Sequence, residues 1–312
     1  MAEQKKIALY LLTGFLGAGK TTLLKELLNM LSDKKAGLVI NEFGKVGVDG
    51  KVIQRDGIEL VEINNGSIFC TCLEGSFIEK VTAFSKLPIE YLFVESSGLS
   101  DPSNMESILH HVQRMTDNAF EFKGSLCVVD SKNFSKLFHS LHTFQRQINY
   151  SNLIILNKTD LVDRHTVETI TEKIKEVNPM AGIVKTTYCK LDKKILEKDF
   201  SDFRFPEAKA SNNCPNNRPE IFVLKTSEKV TQKQMLAFVL SIARNTFRVK
   251  GFVHLEDGLY HLDCVGDDVA VKPSNLFRDV SEIVVISKDG ADLGPVIRKQ
   301  WDALIGAEMT IE

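Results

Sequence analysis

The chain has 312 residues, and 39 Lys and Arg against 41 Asp and Glu give a formal net charge of −2. That balance excludes the basic excess of a dedicated nucleic-acid binder. A composition that is 43% hydrophobic and 26% charged excludes wholesale disorder. No apolar run approaches the ~20 residues of a membrane span, and the N-terminus predicts no secretory leader. We therefore expect a cytoplasmic protein whose six cysteines are reduced.

Short, near-continuously apolar segments alternate with helix-length segments up to about residue 200. The predicted strands are 7–12, 36–40, 58–63, 91–95, 124–130, 153–157 and 182–187, and the clearest predicted helices are 21–32, 75–86 and 164–177. Strands of this kind are typical of positions covered on both faces. The alternation predicts an α/β fold, a mostly parallel sheet with helices on both faces.

The pattern changes after residue 200. Residues 204–219, RFPEAKASNNCPNNRP, combine three Pro with four Asn and predict a linker between domains at 1–203 and 220–312. For the second domain we expect a smaller α+β unit, with strands at 221–224, 248–255, 259–264, 268–271 and 283–287 and helices at 231–247 and 293–305.

A glycine-rich loop follows the first predicted strand. Residues 14–21 read GFLGAGKT and fill the template G-x-x-x-x-G-K-[ST] between a strand and a helix. Its glycines allow backbone N–H groups to surround a phosphate, its lysine can reach the β- and γ-phosphate oxygens, and its threonine hydroxyl can bind Mg²⁺. The alternative is a turn that only caps a helix. We expect the phosphates to be bound by Gly14, Gly17, Ala18, Gly19, Lys20, Thr21 and Thr22.

A second loop predicts the base. Residues 152–160 read NLIILNKTD, an apolar strand that ends in Asn157, Lys158 and Asp160, and N-K-x-D in this position is the guanine-reading loop of P-loop GTPases. The Asp160 carboxylate can accept hydrogen bonds from N1–H and the exocyclic amino group of guanine, a donor pair that adenine lacks. Lys158 can cover the base, and Asn157 can connect this loop to the phosphate loop. The predicted nucleotide is therefore GTP, with the other wall of the base pocket expected after 182–187.

The predicted strand 91–95 ends in Glu95, with Gly98 three residues later. A carboxylate at a strand end beside the phosphate loop is expected to hold Mg²⁺ together with Thr21, and the Gly98 N–H can contact the γ-phosphate. A buried pair between Glu95 and Lys20 is compatible with this interpretation.

The glycine-rich segment 41–50, NEFGKVGVDG, predicts a switch loop. Its Asp49 is a candidate for touching Mg²⁺ or orienting the attacking water, and a solvated Asp-Gly turn is the alternative. The predicted catalytic residues are thus Lys20, Asp49, Glu95 and Gly98. Because no glutamine follows Gly98 to position water, we expect slow intrinsic hydrolysis.

Two cysteines are separated by one residue in NNGSIFCTCLE, residues 64–74. Cys70 and Cys72 can bind one soft metal ion as thiolates. A tetrahedral site needs further ligands, such as Glu42, a histidine or a second subunit. Two buried or redox-active cysteines are the alternative. The histidines available in principle, each more often solvated or packed than a ligand, are His110, His111, His139 and His142.

The stretches GFLGAGKTTLL, INEFGKVGVDG, NNGSIFC, VESSGLSDP and NKTD, in this order and spacing, resemble the CobW-like branch of the CobW/HypB/UreG class of P-loop GTPases. RVKGFVHLEDGLYHLDCVG is similar to that branch's small C-terminal domain. The resemblance implies a P-loop NTPase fold and a GTP-hydrolysing metallochaperone or metal insertase. Such a protein uses Mg²⁺ and delivers zinc, cobalt or a similar ion to a client metalloprotein. It also implies a nucleotide-dependent homodimer, whereas the charge balance and the lack of a long apolar run predict neither nucleic acid nor membrane as a partner.

The family's metal motif is G-C-x-C-C, and this chain departs from it. Ser67 and Phe69 replace two of the three family cysteines, and Cys72 lies two places beyond the third, Cys70. Either Cys70-x-Cys72 forms a variant site, or the cargo differs. A second interpretation is a nucleotide-switched binding module that acts on a corrinoid- or metal-dependent partner without carrying metal. A third, an ATP-dependent kinase, requires that Asp160 does not contact the base.

Overall fold

The computed structural model of this 312-residue chain describes residues 6–41, 58–63, 67–69, 71–198, 200, 205–206 and 219–312. The chain divides into two compact units, Met1–Asn217 and Arg218–Glu312. The limits expected from the sequence, 1–203 and 220–312, stay a prediction, because most of the linker between them lies outside the described residues. Among the residues that are described, no helix is long and apolar enough to cross a lipid bilayer.

The first unit contains a parallel sheet. Its described strands are β1 (Ile7–Gly14), β2 (Ala36–Asn41), β3 (Ile58–Ile63), β4 (Tyr91–Glu95), β5 (Phe120–Asp130), β6 (Leu153–Asn157) and β7 (Gly182–Lys185). They pair in parallel in the order β3-β2-β4-β1-β5-β6-β7. All seven predicted strands are present.

The helices of this unit connect the strands. They are α1 (Lys20–Met30), α2 (Thr71–Phe84), α3 (Met105–Met115), α4 (Phe134–Ser140), α5 (His142–Asn149) and α6 (Arg164–Val177), with short 3-10 helices at Thr159–Leu161 and Lys193–Glu197. Three of them, α3 to α5, fall in a stretch for which the sequence analysis named no helix.

The central strand β1 is buried on both faces. Because successive side chains of a strand point to opposite faces, Tyr10 and Leu12 join one apolar cluster, which the buried leucines of α1 complete. Leu9 and Leu11 join another, to which α2 contributes Phe77. The sheet therefore lies between two apolar cores with helices on both faces, which confirms the predicted fold class.

The carboxyl ends of the seven described strands lie along one edge of the sheet, because parallel strands all end on the same side. In this register Glu95 of β4 is opposite Leu12 of β1 and Ile40 of β2, and Asp130 of β5 is opposite Asn157 of β6. In open parallel sheets ligands bind outside these carboxyl ends.

The second unit contains an antiparallel sheet. Its strands are β8 (Ile221–Thr226), β9 (Thr246–Leu255), β10 (Gly258–Val265), β11 (Asp268–Pro273), β12 (Ser281–Ser287) and β13 (Thr310–Ile311). They pair in the order β11-β10-β9-β12-β8-β13. The helices are α7 (Gln232–Ile242) and α8 (Leu293–Leu304), with 3-10 helices at Ala243–Asn245 and Gly290–Asp292.

The two helices of this unit cover an apolar core, in which the rings of Phe238 and Trp301 pack edge to face at 5.0 Å. The predicted helix 231–247 was wrong at its carboxyl end. Helix α7 ends at Ile242, and Thr246 begins β9 with a partner in Ser287. Sheet pairing, which suits a β-branched residue followed by an aromatic one, here outweighs the helical period.

Candidate nucleotide site

The phosphate loop connects β1 to α1 at the carboxyl edge of the sheet. Gly14, Gly17 and Gly19 have φ values of 129°, 71° and 116°, a region that L side chains rarely adopt. A Cβ on Gly14 would lie 2.3 Å from the Val128 carbonyl oxygen, and one on Gly19 would lie 2.6 Å from Asn157 Nδ2. At these two positions only glycine fits without a shift of the backbone or of the base loop.

The lysine of the loop is folded across it. Lys20 is buried, and its Nζ donates hydrogen bonds to the carbonyl oxygens of Gly14 at 2.9 Å and Phe15 at 3.2 Å. The backbone N–H groups at the start of α1 carry partial positive charge toward the same loop. The loop, the ammonium group and the helix N-terminus together have the chemistry that binding an anion requires. Of the other predicted phosphate contacts, Ala18 is buried in the loop and Thr22 is exposed on α1.

A hydroxyl and a carboxylate meet beside this loop. Thr21 Oγ1 donates to Glu95 Oε1 at 3.2 Å, and Glu95 is buried at the end of β4. Both are hard oxygen donors of the kind that Mg²⁺ prefers, so the residues present fit the predicted magnesium site.

Gly98 packs directly against the phosphate loop. A Cβ at residue 98 would lie 2.6 Å from the Leu16 backbone nitrogen and 2.6 Å from Leu16 Cδ2. The segment after β4 therefore approaches the phosphate loop so closely that only glycine fits at residue 98, and its contact with a γ-phosphate stays a prediction.

The base loop is connected to the phosphate loop through a buried amide. Asn157 Nδ2 donates to the Ala18 carbonyl oxygen at 2.9 Å, and Asn157 Oδ1 accepts from the Cys189 N–H at 3.1 Å. Asn157 thus joins three segments that are distant in sequence. Asp160 lies in the 3-10 helix that follows and is exposed.

Lys158 is held by an acid that the sequence analysis did not name. Its Nζ lies 2.7 Å from Asp130 Oδ2, and the exposed fractions of the two side chains are 29% and 5%. Lys158 has φ 60°, a left-handed conformation that is uncommon for a lysine. A signal existed, since β5 ends in Val128-Val129-Asp130, an apolar strand closed by an acid, as β4 ends in Glu95.

The loop after β7 supplies further residues that the sequence did not assign. Cys189 Sγ donates to the Gly19 carbonyl oxygen at 3.5 Å, and Tyr188 before it is 71% exposed. Burial raises the pKa of Cys189 to about 12 and that of Cys127 to about 12. Both therefore stay protonated at neutral pH and lack the thiolate that metal binding and nucleophilic reactivity require.

Several predicted ligands fall outside the described residues. These are Glu42, Asp49, Cys70 and the side chain of Cys72. Within the part of the chain that the structure does describe, no group of three or more His, Cys, Asp and Glu side chains could hold a metal ion. The predicted histidine His111 instead pairs through Nδ1 with Glu74 Oε1 at 3.4 Å.

Residues 67–69, which directly precede Cys70, are buried and bonded to the segment after β4. Ser67 Oγ donates to Ser100 Oγ at 2.9 Å, and Asn104 Nδ2 donates to the Phe69 carbonyl oxygen at 3.0 Å.

Asn41, at the end of β2, adds a further connection between these segments. Its Oδ1 accepts from the N–H of Ile68 at 3.1 Å and from the N–H of Ser97 at 3.4 Å. Residues 67–69, which precede Cys70, and the segment that contains Gly98 are therefore connected by hydrogen bonds from side chains in three parts of the chain.

A glycine-rich loop at the carboxyl edge of a parallel sheet, opening a helix and enclosing a lysine, is the phosphate-binding element of P-loop nucleotide-binding proteins. Fold and site together place the chain in that class. Within the class it belongs to the CobW/HypB/UreG family. Residues 8–185 match the family's nucleotide-binding domain, and residues 220–305 match the cobalamin synthesis protein cobW C-terminal domain. The resemblance inferred from the sequence motifs is confirmed.

Curated relatives carry zinc in their names. The chain is 28% identical over 237 residues to the zinc-regulated GTPase metalloprotein activator 1 of Dictyostelium discoideum, a match that covers 64% of this chain and 50% of the relative. It is 31% identical over 201 residues to the zinc chaperone CobW of Sinorhizobium sp, covering 55% and 56%. The chain thus spans only about half the length of these two relatives. The Zn(II)-bound YjiA GTPase from E. coli has 22% identity and a TM-score of 0.49, with 96% of this chain and 99% of that chain covered.

Proposed function

We propose that this protein binds and hydrolyses GTP, and that its nucleotide state controls the delivery of a metal ion to a client metalloprotein. The observation that carries the proposal is the Asn157 side chain, which joins the base loop to the phosphate loop. This bond connects the phosphate loop to the loop that carries the exposed carboxylate of Asp160. A guanine base satisfies that carboxylate with two donors, whereas adenine leaves it unpaired.

Hydrolysis is supported by the residues that would lie around a bound γ-phosphate. Lys20 exchanges its carbonyl partners for phosphate oxygens, and Gly98 offers its N–H to the γ-phosphate. Mg²⁺ would be held by Thr21 and Glu95 and would supply positive charge that stabilises the triphosphate during hydrolysis. Asp49 is the proposed carboxylate for the attacking water or the metal. Since the sequence offers no glutamine directly after Gly98, the expected intrinsic rate is low.

Metal delivery is supported by the bonds that precede Cys70. A shift of the Gly98 segment when a γ-phosphate binds would act on Ser67 through Ser100 and on Ile68 through Asn41. The cargo, zinc or cobalt, would be bound by Cys70 and Cys72, with Glu42 as a further ligand. The zinc named in the curated relatives agrees with this cargo. The client, the proposed nucleotide-dependent homodimer and a cytoplasmic location are inferred from the family only.

One observation favours the second candidate, a nucleotide-switched module that carries no metal. The two residues at family cysteine positions are engaged elsewhere, since Phe69 is fully buried and Ser67 Oγ is bonded to Ser100. Only Cys70 and Cys72 then remain as soft ligands in this segment. The partner of such a module would itself be corrinoid- or metal-dependent.

Anaerobic titration with Zn²⁺ and Co²⁺ separates the two candidates. The wild type should bind one ion per chain, and the double variant Cys70→Ser/Cys72→Ser should bind none while its affinity for GTP is unchanged. Cys264→Ser is the matched control, because that cysteine is buried in the second unit and a serine can keep the bond to the Gly266 carbonyl oxygen. A wild type without stoichiometric metal would support the module instead. Binding of GDP no tighter than ADP would refute the guanine site in either case.

A further inference from the structure

A glutamine of helix α5 donates hydrogen bonds to the segment that contains Gly98. Gln147 is 0% exposed, and its Nε2 donates to two carbonyl oxygens, those of Gly98 at 3.1 Å and Ser100 at 2.9 Å. An amide NH₂ group has two donors, and both are used on this one turn.

The residue before Gln147 binds the same segment further along. Arg146 Nη1 lies 2.5 Å from Asp101 Oδ2, and Asp101 is fully buried. Asp101 Oδ1 in turn accepts from both the N–H and the hydroxyl of Ser103. Two consecutive side chains of α5 therefore bond to the segment 98–103.

Gly98 lies between Gln147 and the phosphate loop. On one side its carbonyl oxygen accepts from Gln147, and on the other its Cα approaches the Leu16 nitrogen so closely that no Cβ fits. Bonds to the carbonyls of residues 98 and 100 restrict the peptide groups around Gly98. The distance from the phosphate loop to the Gly98 N–H therefore depends on the Gln147 side chain.

The two polar atoms of the Gln147 amide differ in their hydrogen bonding. Gln147 Oε1 is buried and has no hydrogen-bond partner among the described residues, and the same holds for Thr13 Oγ1 and Ser96 Oγ at the ends of β1 and β4. An unpartnered buried polar atom destabilises a fold. A methionine would fill similar space, so Gln147→Met removes the two donor bonds at similar volume.

We infer that Gln147 is a positioning residue that sets the Gly98 N–H for the γ-phosphate, so that it favours a nucleoside triphosphate over a diphosphate. The inference rests on the proposed function, in which GTP binds the phosphate loop. GDP has no γ-phosphate, and its affinity depends on the phosphate and base loops, which Gln147 does not contact through its side-chain bonds.

The test compares Gln147→Met with the matched control Gln145→Met. Gln145 lies on the same helix, but its Nε2 donates to the Phe138 carbonyl oxygen, away from the Gly98 segment. For each protein, titration in the presence of Mg²⁺ gives the Kd of the β,γ-imido analogue of GTP and the Kd of GDP. Gln147→Met should weaken the analogue at least tenfold, which corresponds to about 1.4 kcal/mol, and change the Kd of GDP less than threefold. Gln145→Met should change neither.

Equal weakening of both nucleotides, or no change in either, would overturn the inference, since a merely structural glutamine affects them alike. If Gln147→Met does not fold, Gln147→Asn carries the same expectation, because a side chain one methylene shorter does not reach both carbonyls. A wild type that binds GDP and ADP equally, or binds neither, refutes the proposed function and is recognised before any variant is measured.

Discussion

The ion pair between Asp130 and Lys158 should preorganise the base site, and its removal should weaken guanine nucleotides. The informative change is Asp130→Asn, because the amide keeps an oxygen for the N–H groups that Asp130 Oδ1 caps, those of Lys132 at 2.9 Å and Asn133 at 3.4 Å. What is lost is the charge that holds Lys158 Nζ at 2.7 Å, together with the bond that Oδ2 accepts from Asn133 Nδ2 at 3.0 Å.

The magnitude follows from the burial of the two side chains. An exposed ion pair is worth about 0–1 kcal/mol, and breaking a fully buried one costs about 3–5 kcal/mol. Lys158 keeps 29% of its side-chain surface exposed while Asp130 keeps 5%, so the released ammonium can be rehydrated. The remaining cost is that of ordering Lys158 again when the base binds, about 0.5–1.5 kcal/mol for one side chain. The left-handed backbone conformation at Lys158 is also less well held. The total loss of binding free energy is therefore about 1–2 kcal/mol, a roughly 5- to 30-fold loss of affinity.

The assay is equilibrium titration with GDP and with a GTP analogue. The affinities for both should fall by the same factor, because Lys158 belongs to the base loop. The control is Asp163→Asn, since Asp163 caps α6 through the Thr166 N–H and Asn is an equally good N-cap. In a Lys158→Met background, Asp130→Asn should have an effect below threefold. An unchanged affinity for GDP, or the full loss in that background, would refute the reasoning.

Three further changes test other parts of the account. Asp160→Asn should shift the preference from GTP toward XTP in competition titrations, and an unchanged preference would remove Asp160 from the base site. Gly98→Ala should weaken a GTP analogue at least tenfold, because its Cβ would lie 2.6 Å from the Leu16 nitrogen; wild-type affinity would contradict the close approach. Burial alone would raise the pKa of Asp263, but the charge and hydrogen bonds of Arg248 outweigh it and lower that pKa. The carboxylate therefore stabilises the fold above its ordinary pKa of 3.8, and this contribution is lost as pH falls through the lower folded value. Asp263→Asn should flatten the fall of the thermal midpoint below about pH 4, and equal slopes would refute this.

The parts of the site that the sequence predicted are those whose residues are close together in the chain. The phosphate loop spans eight positions, 14–21, and its glycines and lysine have one geometry that suits them. The strand ends at Glu95 and Asn157 were predicted for a related reason, because a polar residue that closes an apolar run lies at the carboxyl edge of a parallel sheet. The pattern of apolar and polar residues thus predicted the fold class, and the local motifs predicted the two nucleotide loops.

The parts that were missed depend on contacts between distant segments. Gln147 is 49 positions from Gly98, and in the sequence it is one polar residue on a short amphipathic helix. Asp130 repeated the strand-end pattern, but only the packing of β5 beside β6 assigns it to Lys158. The predicted carboxyl end of the helix, residue 247, was wrong because the pairing of Thr246 with β12 is not encoded in the local hydrophobic period.

Coupling between nucleotide and metal is tested most directly by the Kd of Zn²⁺ measured anaerobically with a GTP analogue bound and with GDP bound. Because Ser67, Ile68 and Phe69 are bonded to the segment that contains Gly98, we expect Kd values that differ at least tenfold, about 1.4 kcal/mol of coupling. Since coupling is reciprocal, Zn²⁺ must change the Kd ratio of the two nucleotides by the same factor. Equal zinc affinity in the two nucleotide states would contradict the proposed control of metal delivery by GTP.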